Sequence, residues 1–279
     1  MKKIISLFLF LLTFAFGFSQ THRFIYEFKY KQDSMKSDYT SVYMSLDVNP
    51  EDVQFYNYRY VEIDSTNITK GQNSQMWDKT TPVIIRQKNS DKNTNLILMN
   101  DFFSVETVDK ISWNLHSETK KVTDYTLQKA TAKFGGRNWT AWFTKDIPVS
   151  EGPYKFRGLP GLIFQINDDK DNFDFTLVKS YNLSATRKIP FFERFYGQKP
   201  IKTTESTINK LLMDYYNDPY QSTREEFSRN TNPKTIFSIN GVDIKDMSQF
   251  KELTESAQKR IREQNNPIEI DKALKYPLK

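Results

Sequence analysis

The chain has 279 residues, no Cys and a formal net charge of +6. The missing Cys excludes disulfides, thiol catalysis and thiolate metal sites. With no run of about five or more Lys/Arg residues, the mild positive bias points away from nucleic acid as a partner. Aromatics at 15% among 27% well-mixed charged residues exclude a disordered chain and supply a core that needs no covalent staple.

Taken in chain order, Lys2 and Lys3 precede an apolar run from Ile4 to Phe18. At about fifteen residues the run has the length of a signal-peptide core and is short for a membrane span. Gly17 and Ser19 put small residues at the −3 and −1 positions, which predicts cleavage after Ser19. The expected organisation is a signal peptide over residues 1–19 and a single β-rich domain over 20–279, exported to the periplasm or the extracellular space. No later stretch approaches the length and apolarity of a span, so the mature chain is expected to carry none.

His22 to Lys31 alternates, with Phe24, Tyr26, Phe28 and Tyr30 on one parity, as a strand with one buried face should. Val42 to Val48 alternates in the same way. Val53 to Ile63 reads as a further strand after the turn Asn49-Pro50-Glu51-Asp52. Further strands are expected at Val83–Lys88, Asn95–Met99, Phe103–Thr107, Lys121–Phe134 and Asn138–Thr144. Leu162–Asn167 and Phe173–Tyr181 form a hairpin around the polar turn of residues 167–172. After about residue 200 the period becomes helical. Thr204–Tyr216 spaces Ile208, Leu211, Leu212 and Tyr215, Asp218-Pro219 reads as the start of a helix over Tyr220–Arg229, and Asp246–Gln264 carries Met247, Phe250, Leu253, Ala257 and Ile261 on one face. Ile239-Asn240-Gly241-Val242 reads as a tight turn. The fold class is mainly β (α+β): a curved antiparallel sheet or half-barrel with helices from the C-terminal third laid against it.

Familiar catalytic and cofactor patterns fail their tests. Gly152 to Ile166, GPYKFRGLPGLIFQI, is rich in Gly and Pro, but it lacks the spacing and the Lys-Ser/Thr of a phosphate loop and opens no helix. Its Gly-Pro and Pro-Gly pairs suit turns that aim a buried strand. Asp168, Asp169, Asp171 and Asp174 lack the central Gly and the later Glu of a calcium loop, and read as a solvated hairpin tip. His22 and His116 have no local partner for zinc, and no nucleophile elbow is present. No metal and no cofactor is expected.

Gly158, Leu159, Pro160, Gly161, Leu162 and Ile163 spell GLPGLI, and this hexapeptide resembles the motif of the GLPGLI family of exported Bacteroidetes proteins. Phe134–Arg137, Ala141–Pro148 and Gly152–Phe156 resemble its upstream blocks, and Asn266-Pro267-Ile268-Glu269 resembles its terminal signature. The resemblance implies an exported β-rich protein and no particular chemistry, because the family is largely uncharacterised. It further implies a likeness to the bowl-shaped N-terminal module of some secreted glycoamidases.

Four residues are candidates for ligand binding: Arg137, Trp139, Trp142 and Arg157. Trp139 and Trp142 have opposite parity, so one ring is expected in the core and the other on a concave surface, where exposed aromatics beside Arg suit sugars, peptides or anions. The alternative is that Arg137 and Arg157 neutralise carboxylates such as Asp146 or Glu151. The surplus of Tyr, Phe and Trp favours a non-enzymatic cell-envelope binding or accessory protein whose concave sheet face takes a hydrophobic or peptide-like ligand, or an envelope protein. A hydrolase acting on envelope or extracellular polymer is the other reading, and it requires paired carboxylates across a cleft.

Overall fold

The computed structural model describes residues 21–186, 188–232 and 234–278; the expected signal peptide of residues 1–19 lies outside them. β1 (Thr21–Tyr30) shows how the sheet is built. Its alternation buries Phe24, Tyr26, Phe28 and Tyr30. Phe28 stacks on Tyr30 at 4.7 Å and on Phe175 at 4.2 Å. Such pairs add about 0.5–1.5 kcal/mol each beyond the area they bury.

β1 lies inside a curved twelve-stranded sheet. On one side follow β2 (Thr40–Val48), β3 (Asp52–Asn57), β4 (Val83–Gln87), β5 (Lys92–Leu98), β6 (Phe102–Val108) and β12 (Ile201–Thr203). On the other follow β11 (Phe173–Leu183), β10 (Leu162–Asp168), β9 (Arg137–Thr144), β8 (Tyr125–Phe134) and β7 (Asn114–Val122). All pairings are antiparallel except β12 on β6, which is parallel. One border of the sheet is thus a three-residue strand. The other, β7, is exposed, carries Glu118, Lys120 and Lys121, and slips register between Leu115 and Thr119.

The register defines two faces. Val53, Phe55, Ile84, Arg86, Asn93, Asn95 and Val105 share a face through the pairs Phe55↔Ile84, Val53↔Arg86, Ile84↔Asn95, Arg86↔Asn93 and Asn95↔Val105. The main apolar core packs on this face with Phe24, Tyr26, Phe28, Trp139 and Phe175. Tyr56, Val83, Leu96 and Phe102 occupy the opposite face, covered by Tyr60, Trp77, Phe191, Phe192 and Phe195.

Four expectations change. The strand expected over Val53–Ile63 stops at Asn57, and α1 (Arg59–Lys70) begins. The Asn57 carboxamide oxygen accepts from the Arg59 N–H at 3.0 Å, turning the chain, after which Tyr60 and Asp64 are buried one helical turn apart. The strand expected over Lys121–Phe134 is the hairpin β7–β8, with Thr123 at φ 50 in its turn; β7 shows no alternation because it is wet on both sides. Asp168 is not part of a solvated tip. It is fully buried and its carboxylate accepts from the N–H groups of Asn172 and Phe173 at 2.7 and 2.8 Å, folding the turn around itself.

The short helix α2 (Pro190–Glu193) went unread, since four residues show no period. α3 (Glu205–Asn217) is capped by Thr204, whose hydroxyl accepts from the Thr207 N–H, and packs Ile208 on Phe103 and Val105. α4 (Gln221–Arg229), the hairpin of β13 (Phe237–Ile239) and β14 (Val242–Ile244), and α5 (Gln249–Glu263) share a small core of Ile239, Ile244 and Phe250. The Asp218-Pro219 signal is displaced: Tyr220 precedes α4, and Asp218 pairs with Arg224 instead. Among the described residues no helix is long and apolar enough to cross a membrane.

Candidate ligand-binding cleft

The hexapeptide aims a strand. Gly161 sits at φ 148, and a Cβ there would lie 1.9 Å from the Thr144 carbonyl oxygen, so only glycine lets the loop approach β9 this closely. Beyond it Leu162 and Ile163 enter the core with no exposed surface. The Ser150 hydroxyl donates to the Leu159 carbonyl at 2.7 Å, and the Ile163 N–H donates to the Glu151 carbonyl at 3.1 Å. The loop is thereby tied down at both ends.

The four candidate residues do not meet. Arg137 is buried; it reaches Asp168 at 3.0 Å and donates to the carbonyls of Pro267 and Ile268 and to the side chain of Asn266. Its carboxylate partner is therefore Asp168, not Asp146. Trp139 is core, its indole N–H donating to the Phe134 carbonyl. Trp142 lies half-buried on the other side of the strand, with the Lys120 ammonium 4.4 Å from its ring centre. Arg157 donates to the Ser90 carbonyl and lies 3.7 Å from Glu151. None of the four lines a cleft of about 700 Å³ on the core face of the sheet.

The cleft lies where the 154–155 loop, the C-terminal segment 264–272, α3 and the 77–82 loop converge on the strands of the core face. Phe28, Tyr30, Val105, Phe173 and Ile208 give it apolar walls. Its charged lining begins with Lys155, which is buried between Asp109 at 3.1 Å and Glu269 at 2.5 Å. Glu269 also accepts from the Tyr154 hydroxyl at 2.5 Å and from Lys272 at 2.8 Å; Lys272 in turn reaches Glu205 at 2.7 Å. The buried charges of this cluster, Lys155, Asp109 and Glu269, are therefore all partnered, as burial demands.

The titration of these groups follows from their surroundings. Burial works to raise Glu269, but Lys155, Lys272 and Tyr154 outweigh it and hold the carboxyl below its usual range. Asp109 is also lowered, burial being outweighed by the Thr107 hydroxyl and Lys155. Asp78 is lowered as well, because hydrogen bonds from Thr80, Thr81 and Asn57 overcome its burial. Burial and the adjacent Glu269 push the Tyr154 phenol well up, so it stays a donor. Tyr154 adopts φ 56, a left-handed conformation that costs a non-glycine residue energy. The strain lies in the turn that brings Tyr154 and Lys155 to Glu269.

Other groups in the cleft have no partner among the described residues. Tyr30 is 6% exposed, lines the cleft, and its hydroxyl makes no hydrogen bond to another described residue. The carboxamides of Gln32, Asn209 and Gln264 and the Lys79 ammonium are equally unengaged among the described residues. The same residues contain no group of three or more His, Asp or Glu placed to hold a metal.

Sequence reasoning singled out neither Lys155 nor Glu269 as a site residue. The available signal was that Gly152–Phe156 and Asn266–Glu269 both belong to the quoted family blocks. The structure joins those blocks directly. A Cβ on Gly135 would lie 2.8 Å from the Glu269 Cα, so the glycine turn before β9 admits the C-terminal segment.

Fold and cleft define a mainly β protein with a large, open, curved sheet. A family model described as "Protein of unknown function (Porph_ging)" matches residues 135–165, from that glycine turn through the hexapeptide into β10. A solved structure of PNGF-II in space group P21 is similar, with a TM-score of 0.51 and 14% identity over 69% of this chain and 33% of that one. PNGF-II in space group C2 gives 0.48 and 16% over 67% and 31%. The chain spans about a third of the solved chains it matches, and the first likeness is one of fold. No curated protein matches.

Proposed function

We propose that the protein is an exported, non-enzymatic binding protein of the cell envelope, in the periplasm or outside the cell, and a member of the GLPGLI family. The Lys2-Lys3 start, the apolar run and the small residues at Gly17 and Ser19 support export. The hexapeptide and its flanking blocks support the family.

One observation carries the binding reading. The cleft's buried charges satisfy one another, while the Tyr30 hydroxyl and three carboxamides stay unpaired beside apolar walls. Such a lining suits an uncharged ligand that offers both hydroxyl or amide groups and apolar surface, and it fits a purely hydrophobic ligand poorly. A glycoside hydrolase needs one carboxyl kept protonated as an acid. Glu269 and Asp78 are both held below the usual carboxylate range, which weighs against that role.

The test is isothermal titration of residues 20–279 with three neutral probe sets: linear oligosaccharides, blocked hexapeptides and a non-ionic detergent. The expected result is one binding class, weakened at least tenfold in the double variant Asn209→Ala/Gln264→Ala, with the ligand recovered intact by mass spectrometry. Cleaved ligand would replace this reading with the hydrolase, and silence from all three sets would remove it.

A further inference from the structure

A second cavity of about 640 Å³ lies across the turn at Trp77, Asp78 and Lys79, and these three residues line both cavities. Its other walls include Tyr43, Tyr58, Arg59 and Glu62. The Tyr58 N–H donates to the Tyr43 carbonyl at 2.8 Å, holding the start of α1 against β2. Tyr43 is 56% exposed and its ring contacts no other aromatic ring among the described residues. Neither the Arg59 guanidinium nor the Glu62 carboxylate is hydrogen bonded to another described residue. Asn57 and Asp78 brace the shared wall by a 2.9 Å hydrogen bond.

Resting on the binding reading above, we infer that the ligand is a linear, uncharged oligosaccharide that fills the first cleft, crosses the Trp77–Lys79 wall and ends in a second subsite formed by Tyr43, Arg59 and Glu62. Three arguments carry this. Each cavity alone is in the range that takes one drug-sized molecule, so the pair sharing a wall suits a ligand of repeated units. An open aromatic face beside planar polar side chains matches a sugar, which offers C–H surface on one side and hydroxyls at its rim. The third argument separates sugar from peptide. The strands that line the two cavities, β1, β2, β3, β4, β5, β6 and β11, each have a neighbour on both sides, and the backbone left unpaired beside the cavities is short: Thr40–Val42 of β2 towards β3 and Ile97 and Leu98 of β5 towards β4. An extended peptide would find only these two short edges to join, too little for an added strand, so the lining reads its ligand mainly through side chains.

The experiment is isothermal titration of the full mature chain with dimers and hexamers of four neutral series: glucose, mannose, xylose and N-acetylglucosamine. In one series the hexamer is expected to bind at least tenfold more tightly than the dimer. The variant Tyr43→Ala/Arg59→Ala, with an unchanged melting temperature, is expected to bring the hexamer's Kd to that of the dimer. Equal affinity of dimer and hexamer, or a length preference that survives the variant, overturns the second subsite. Binding of blocked hexapeptides with no saccharide bound overturns the ligand class while the binding reading stands. No binding by any probe overturns both.

Discussion

Between Gly135 and Gln165 side chains are locked by close complementarity. Trp139, Phe143, Leu162 and Ile163 are buried at 1% exposure or less, and Arg137 is satisfied inside the protein. Between Tyr220 and Glu263 the picture is looser. Three buried residues hold α4, the β13–β14 hairpin and α5 together, while Ile236, Val242 and Met247 stay exposed nearby. That lobe also leans on the body through α3, where Gln258 donates to the Tyr216 carbonyl and Arg262 to the Tyr216 hydroxyl. The first region fails when any one fit is spoiled; the second can open by itself, since regions with few buried contacts unfold locally before the whole.

The comparison is broken most severely at Gly161. Gly161→Ala drives a methyl into the Thr144 carbonyl and is expected to cost about 4 kcal/mol or more, measured by urea denaturation; a variant of wild-type stability would show that the block tolerates misfit. Arg137→Ala strands the buried Asp168 carboxylate and is expected to cost about 3–5 kcal/mol. Adding Asp168→Asn should recover part of that loss in the same assay. In the lobe, Phe250→Ala is expected to cost about 3 kcal/mol. Its signature is faster hydrogen exchange confined to residues 220–263, with β9 and β10 still protected. Loss of protection in both regions would mean that they unfold as one.

The smallest change sharpens the comparison at the cleft. Glu269 is lowered in the folded state, so it contributes stability that is present above the unfolded carboxyl range of about 4.3 and is lost as pH falls through the folded value. Glu269→Gln is expected to cost about 1–3 kcal/mol at neutral pH and to flatten the fall in stability below about pH 5. An unchanged acid limb would assign that fall to other carboxylates.

The strands were legible where one face is dry. β1 announces itself through Phe24, Tyr26, Phe28 and Tyr30, and β10–β11 through apolar runs around a polar turn. α1 was not legible, because VQFYNYRYVEI alternates well enough to look extended and the switch depends on one Asn57 hydrogen bond. The lining of the cleft was illegible for a different reason. Lys155 and Glu269 are 114 positions apart, and their pairing exists only once the Gly135 turn has admitted the C-terminal segment. Arg137 was read as a ligand-binding candidate, with neutralisation of Asp146 or Glu151 as the alternative. Its partner, Asp168, was hidden inside an acidic run whose other members are solvated.

The borders of the sheet carry a last consequence. One ends in the three residues of β12; the other ends in β7, charged and out of register at its middle. Neither gives an incoming chain a long, flat ladder to copy. A polypeptide this rich in aromatic ribbons is thereby kept from growing end over end into fibrils, and its concentrated solutions should scatter light as discrete particles.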